Sequence, residues 1–252
     1  MELPQIPAGS GAHPVSLVSI SISISSGAAE FYTNLFGWKL TSVGEGWSLA
    51  ATPAGPQVVL DSATPDDFPT AVPFIEVPSI AATLEQVKNA GGEVEREPWS
   101  VESIGELARF RDPAGTLYGL RTSATKLEHP HLPIPLGPNP RPAAGTLCSL
   151  EMYVRDAAKA SSFFGEIFEW GTTETMPSYL AFDPGAGIGG VFQSHTPSAP
   201  AMAYIAASDV PKKIEEIEAA GGERCGDPME MPGMAWFGYF KDAAGTTLGL
   251  MG

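Results

Sequence analysis

Three landmarks occur twice in this chain, in the same order, and that recurrence limits the fold more than any other feature. AEFYTNLFGW at 29–38 matches SSFFGEIFEW at 161–170 with an offset of 132; AGGE at 90–93 recurs at 220–223, and FRDPAGT at 110–116 recurs as FKDAAGT at 240–246, both with an offset of 130. Ordered landmarks at a nearly constant offset mean duplication of a domain. A length of 252 residues accommodates two domains of ordinary size. The expected division is 14–124 for the first domain, 125–144 for a linker and 145–252 for the second. The linker contains EHPHLPIPLGPNPRP at 128–142, whose prolines remove backbone donors and favour extended conformations. His129 and His131 within it read as plain linker residues, because no cysteine or carboxylate cluster accompanies them.

Periodicity supplies the elements. Phe31, Tyr32, Leu35 and Phe36 share one helical face over 27–37, and Ile80, Leu84 and Val87 share another over 79–90. Phe163, Phe164, Ile167 and Phe168, then Val210, Ile214 and Ile217, repeat both faces in the second half. Short β-prone runs bounded by Gly, Pro or Asp fill the spaces: Trp47–Thr52, Gln57–Leu60, Ala71–Val77 and Leu107–Phe110. Each half therefore reads as two βαβββ units, an α+β arrangement with four units in the chain. The run SLVSISISIS at 16–25 predicts a strand with a β-branched core face, Val18, Ile20, Ile22 and Ile24. Its serine face meets either solvent or a cleft.

Composition narrows the function. The balance of 14 basic against 29 acidic residues gives a net charge of −15, which repels phosphate backbones and anionic headgroups and makes nucleic acid and membrane poor partners. No run of apolar residues reaches the length of a membrane span. The N-terminus MELPQIPAGSGAHP lacks the features of a signal peptide. A cytoplasmic protein is expected, as a monomer or homodimer. Cys148 and Cys225 form no CxxC pattern and read as buried free thiols. Both Gly-Gly pairs close helices rather than open them, so no phosphate loop is present, and no Ser, His and Asp arrangement is evident.

The two helix motifs, the NAGGE and AAGGE helix ends, and the closing segments RDPAGTLYGL and KDAAGTTLGL resemble the vicinal oxygen chelate superfamily. That family includes glyoxalases, bleomycin-resistance proteins and extradiol dioxygenases. The resemblance covers nearly all of both halves, and GTLC at 145–148 with GGVF at 189–192 is similar to a two-domain glyoxalase-like subgroup. It implies paired βαβββ units that wrap a curved sheet around a cleft, with helices outside. It also implies where metal-using relatives place their ligands: Leu17, Val72 and Gly119 in the first half, Ser149, Met202 and Gly249 in the second. Leucine, valine and glycine offer no donor, a neutral serine is a poor ligand, and thioether sulfur prefers soft ions. No cofactor is therefore expected, unless a divalent metal sits in a displaced site built from Glu151, His195 or Asp183.

If the first-strand ligand position faces the cleft, so does every second residue. Ser19, Ser21 and Ser23 then line the first cleft, and Ser149, Glu151 and Tyr153 the second. Met202 and Tyr204 join from the facing strand, and Trp47, Trp99 and Trp236 are candidates for flat apolar contacts at the rims. Such clefts suit a small organic molecule. Glu151 and Tyr153 are the candidate acid and base pair, since a carboxylate in a partly apolar cleft has its charged form disfavoured. Two readings follow: a ligand-binding protein without the usual metal, or a lyase, isomerase or oxygenase acting on a natural product or reactive carbonyl compound.

Overall fold

The computed structural model describes residues 4–22, 27–44, 46–62, 71–123, 128–196 and 201–252. The first half runs β1 (Val15–Ser21), α1 (Ala28–Phe36), β2 (Lys39–Gly44), β3 (Trp47–Ala51), β4 (Gln57–Asp61), β5 (Ala71–Glu76), α2 (Ile80–Asn89), β6 (Glu93–Val101), β7 (Gly105–Arg111) and β8 (Leu117–Thr122). The second runs β9 (Leu147–Tyr153), α3 (Ala157–Phe168), β10 (Gly171–Met176), β11 (Tyr179–Asp183), β12 (Gly190–Gln193), β13 (Met202–Ala206), α4 (Val210–Ala219), β14 (Glu223–Arg224), β15 (Met229–Met231), β16 (Ala235–Lys241) and β17 (Thr247–Met251). Each half is one curled mixed sheet, ordered β2-β3-β4-β1-β5-β8-β7-β6 and β10-β11-β12-β9-β13-β17-β16-β14. These are the paired βαβββ units that the resemblance implies, α+β in class.

Local chemistry accounts for the helix limits. Side chains of Ser79, Asp156 and Asp209 accept from backbone N–H groups three residues on, capping α2, α3 and α4. Gly37, at φ 71°, ends α1 in the left-handed region. In both closing turns one aspartate carboxylate gathers the backbone: Asp112 Oδ1 accepts from Ala114 and Thr116 N–H, and Asp242 Oδ1 from Ala244 and Thr246 N–H. That is what the duplicated aspartate-containing motif does.

The strands alternate as their sequences predict. Val18, Ile20, Val58, Leu60, Ile75, Tyr118 and Leu120 face one apolar cluster that also contains the buried faces of all four helices. This cluster is continuous between the halves, because each first helix packs on its own sheet and also reaches the other half. In α1, Phe31 and Phe36 stack on Phe240 of β16, and the Tyr32 hydroxyl donates to Asp242 Oδ2 over 2.9 Å. In α3, Phe163 and Phe168 contact Phe110 of β7, and Phe164 meets Tyr118 of β8 at 4.6 Å. Lys213 Nζ donates to the Leu35 carbonyl, and Trp38 Nε1 to the Gly145 carbonyl.

The proline-rich segment is tied down. His129 Nε2 meets Glu76 Oε2 at 3.0 Å and His131 Nε2 meets Asp183 Oδ2 at 2.9 Å, one pair to each half. Leu132 forms a bridge with Ile188. Cys148 is buried as expected, but Cys225 is half-exposed beside the short strand β14.

Candidate functional site

The inner face of each sheet carries the positions the sequence marks as a cleft, and the two faces differ. In the first half, Leu17, Val59, Val72, Phe74, Leu107 and Leu117 form a separate buried cluster with Trp47. Trp47, Phe74 and Trp99 meet edge to face, with ring centroids 6.3 to 6.5 Å apart. Arg96 lies 3.8 Å above the Trp99 ring and caps the outer side. Ser19 is on this face and only 4 % exposed. Ser21, at the end of β1, is half-buried, and Ser23 lies outside the described residues. The first cleft is filled by its own rings.

The repeat allows a position-by-position comparison. Trp47, paired with Asp61, corresponds at offset 132 to Tyr179, paired with Gln193. At offset 130, Trp99, paired with Leu107, corresponds to Met229, paired with Phe237; Phe74 and Gly119 correspond to Tyr204 and Gly249. Leu17, Val101 and Ile104 become Ser149, Met231 and Met234. The three-ring plug thus loses its third member to a flexible methionine that is 53 % exposed. The long β6 is also broken, in the second half, into β14 and β15. What opens is a cavity of about 290 Å³ lined by Ser149, Glu151, Tyr179, Tyr204 and Tyr239, with Met176, Met229, Met231, Met234 and Met251 around it.

Glu151 stands at the centre of the polar part. Its Oε2 accepts the Tyr204 hydroxyl at 2.5 Å, and the Tyr204 and Tyr239 oxygens are 3.4 Å apart. Burial, then the Glu151 charge, drives Tyr204 well above the ordinary phenol range, and Tyr153 and Tyr239 are raised for the same reasons. These phenols stay protonated, and Tyr204 is the one that donates to the carboxylate. Larger open hollows occur elsewhere: one of about 700 Å³ beside Ser100–Glu106 at the rim of the first sheet, and one of about 480 Å³ between residues 4–8 and the proline-rich segment, which shares Ile134, Leu136 and Thr175 with this cavity but not Glu151 or the tyrosines.

Of the remaining sequence candidates, Tyr153 and Met202 pack on the same inner face as Tyr204. Trp236 does not: it alternates with Ala235 and Phe237 and packs against the helix-side cluster, so it lines no cleft. His195 bonds the Tyr179 hydroxyl at 3.1 Å, and Asp183 is held by His131 and the Gly185 N–H. The displaced metal site proposed from Glu151, His195 and Asp183 does not assemble: among the described residues, no three His, Cys, Asp or Glu side chains converge.

The positions that the resemblance assigns to metal ligands do not fit a metal, for a reason visible in the packing. A Cβ at Gly119 would sit 2.1 Å from Cδ1 of Phe74, and one at Gly249 would sit 2.4 Å from Cδ1 of Tyr204. In both halves a ring lies directly over the glycine and fills the volume that a third ligand's side chain needs. With leucine and valine, or serine and methionine, at the other two positions, the donor set is deficient as well.

Sequence reasoning missed part of the wall. Ile134 and Leu136, from the proline-rich segment, line the second cavity. The segment is held there by Gly137 N–H and Arg141 Nη2, both donating to the Met234 carbonyl. The alternation of proline with isoleucine and leucine in HLPIPLGP was the available signal. An exposed connector has no need of such residues.

Residues 26–119 match the family model described as Glyoxalase/Bleomycin resistance protein/Dioxygenase superfamily. The Mycobacterium tuberculosis protein named "Putative glyoxylase CFP32" is 24% identical over 252 residues, covering 93% of this chain and 92% of its own. An Arabidopsis thaliana "Probable lactoylglutathione lyase, chloroplastic" is 30% identical over 178 residues, 64% of this chain and 46% of that one. Among solved structures, the Mn(II)-bound glyoxalase from Novosphingobium aromaticivorans superposes with a TM-score of 0.70 at 14% identity, covering 94% of this chain and 81% of that one. The 2,3-dioxygenase LapB from Pseudomonas sp. KL28 superposes at 0.69 with 13% identity, covering 99% and 93%. At such identities the structural likeness speaks for the fold alone.

Proposed function

We propose that this chain, which belongs to the glyoxalase/bleomycin resistance protein/dioxygenase superfamily, binds a small organic molecule in the cleft of its second half, with the first half as scaffold. One observation carries the reading: the Trp47, Phe74 and Trp99 plug of the first cleft is replaced, position for position, by Tyr179, Tyr204 and Met229 around a cavity. Methionine side chains are adaptable and polarizable, so they suit a surface that closes on an apolar ligand. At about 290 Å³ the cavity is at the small end of ligand sites.

The test restores the plug. Met229→Trp alters an exposed residue and supplies the third ring. Calorimetric titration with 1-naphthalenemethanol, a compact neutral probe, is expected to show binding to the wild type and at least a tenfold loss in the variant, about 1.4 kcal/mol. Equal affinity for both proteins would remove the second cleft as the site. Elemental analysis and native mass spectrometry of the purified protein complete the test. A stoichiometric first-row metal that survives dialysis would overturn the conclusion drawn from the donor set.

A second reading has one observation in its favour, the 2.5 Å hydrogen bond from Tyr204 to Glu151 inside the cavity. On this reading the pair moves a proton to or from a bound reactive carbonyl compound. Turnover of 2-oxoaldehydes that survives Glu151→Gln unchanged would end this reading.

A further inference from the structure

Resting on the second-cleft reading, we infer that the ligand is a hydrophobic amine, bound as its ammonium ion with the cationic nitrogen on Glu151 and the apolar body among the methionines. The cavity lining contains one ionisable carboxylate and no Lys, Arg or His. Glu151 offers only half of its acceptor capacity to the protein: Oε2 takes the Tyr204 hydroxyl, and no described residue donates to Oε1. A half-buried carboxylate with an open oxygen is costly unless a donor reaches it, and a cationic donor meets that need best. The walls reinforce the choice. Tyr179, Phe237 and Tyr239 present aromatic rings to the same space, and ring faces attract an ammonium group.

An anionic ligand meets the opposite situation. It would be brought to Glu151 with no cation in the wall to offset the repulsion, on a protein of net charge −15. The corresponding residue in the first half is Ser19 (151 − 132 = 19), which carries no charge and lies under the ring plug. At the position where the second half has a carboxylate facing an open cavity, the first half has a neutral serine on a face filled by rings.

Three probes of one shape separate this inference from the reading beneath it: 1-naphthylmethylamine, 1-naphthalenemethanol and 1-naphthoic acid, titrated calorimetrically into the wild-type protein near pH 7. The expected order is amine, alcohol, acid, with the amine at least about tenfold tighter than the alcohol, as a charge-assisted hydrogen bond requires. Alcohol and amine of equal affinity would overturn the cation inference and leave the cavity reading standing. If none of the three bound, the cavity reading itself would fall. Glu151→Gln, checked for folding by its circular dichroism and melting curve, is expected to erase the amine's advantage, bringing amine and alcohol within about twofold of each other. An advantage that persisted in that variant would place the nitrogen elsewhere.

Discussion

Replacing Gly119 by alanine tests the claim that a ring occupies the third ligand position. The new Cβ would lie 2.1 Å from Phe74 Cδ1, whereas ordinary contact begins at 3.4 Å, so the ring must withdraw by 3.4 − 2.1 = 1.3 Å. It has nowhere to go, because Trp47 and Trp99 meet its faces and edge. Overpacking of this kind costs about 1–3 kcal/mol. Against it stands about 0.4–1 kcal/mol gained by restricting the unfolded chain, since Gly119 does not have a left-handed φ and alanine fits its backbone. The net expectation is a loss of about 1–2 kcal/mol, read as a lower midpoint in urea unfolding followed by tryptophan fluorescence. Phe74→Ala alone should cost about 3–5 kcal/mol. In that background Gly119→Ala should stabilise by about 0.4–1 kcal/mol, giving a coupling of about 1–3 kcal/mol in a double-mutant cycle. A neutral Gly119→Ala, or the same penalty with and without the ring, would refute the reasoning.

Other outcomes follow from individual contacts. Tyr32→Phe removes the buried hydrogen bond from α1 to Asp242 of the other half and should cost about 1.5–3 kcal/mol in the same assay; a neutral result would mean that this bond does not help join the halves. Burial pushes the Glu76 carboxyl up, but the hydrogen bond and charge of His129, with Arg121, outweigh it and hold the group below 4.5. A depressed carboxylate stabilises fully above its unfolded value and ceases to do so as pH falls through its folded value. His129→Asn should therefore lower stability above the ordinary carboxylate range, with the gap closing as pH falls through and below it; a gap independent of pH would contradict the pairing. Burial raises the Cys148 thiol to about 12, while Cys225 is half-exposed, so a disulfide reagent near pH 8 should titrate one thiol in the native protein and two after unfolding.

Much of this was legible in the sequence because it depends on local periodicity. The alternation of SLVSISISIS placed Val18 and Ile20 against the helices and Ser19 on the inner face, and the helical stripes located all four helices. What depended on non-local geometry was not legible. The face of Trp236 could not be read, because Ala235, Trp236 and Phe237 are all apolar and the period of two is silent there. Nothing in the stripe of α1 says whether Phe31 and Phe36 cover their own sheet or Phe240 of the other, since either partner is equally apolar. The candidate site was legible at Glu151 and Tyr204, which lie on regular strands. The methionines of 229–234 lie on a short strand and the turn after it, and Leu136 on a connector, where no periodicity marks the side that faces a cavity.

The reach of each first helix into the other half has an evolutionary consequence. In a symmetric pair of identical chains, any substitution appears in both copies, so a residue that closes one cleft closes the other. Here the pair is a single polypeptide, and the mutual embrace of α1 and α3 is encoded by two independent stretches of gene. One copy is free to carry tryptophans that fill its cleft, and the other to carry a hollow with a carboxylate. Covalent fusion removes a shared constraint and lets the two clefts differ.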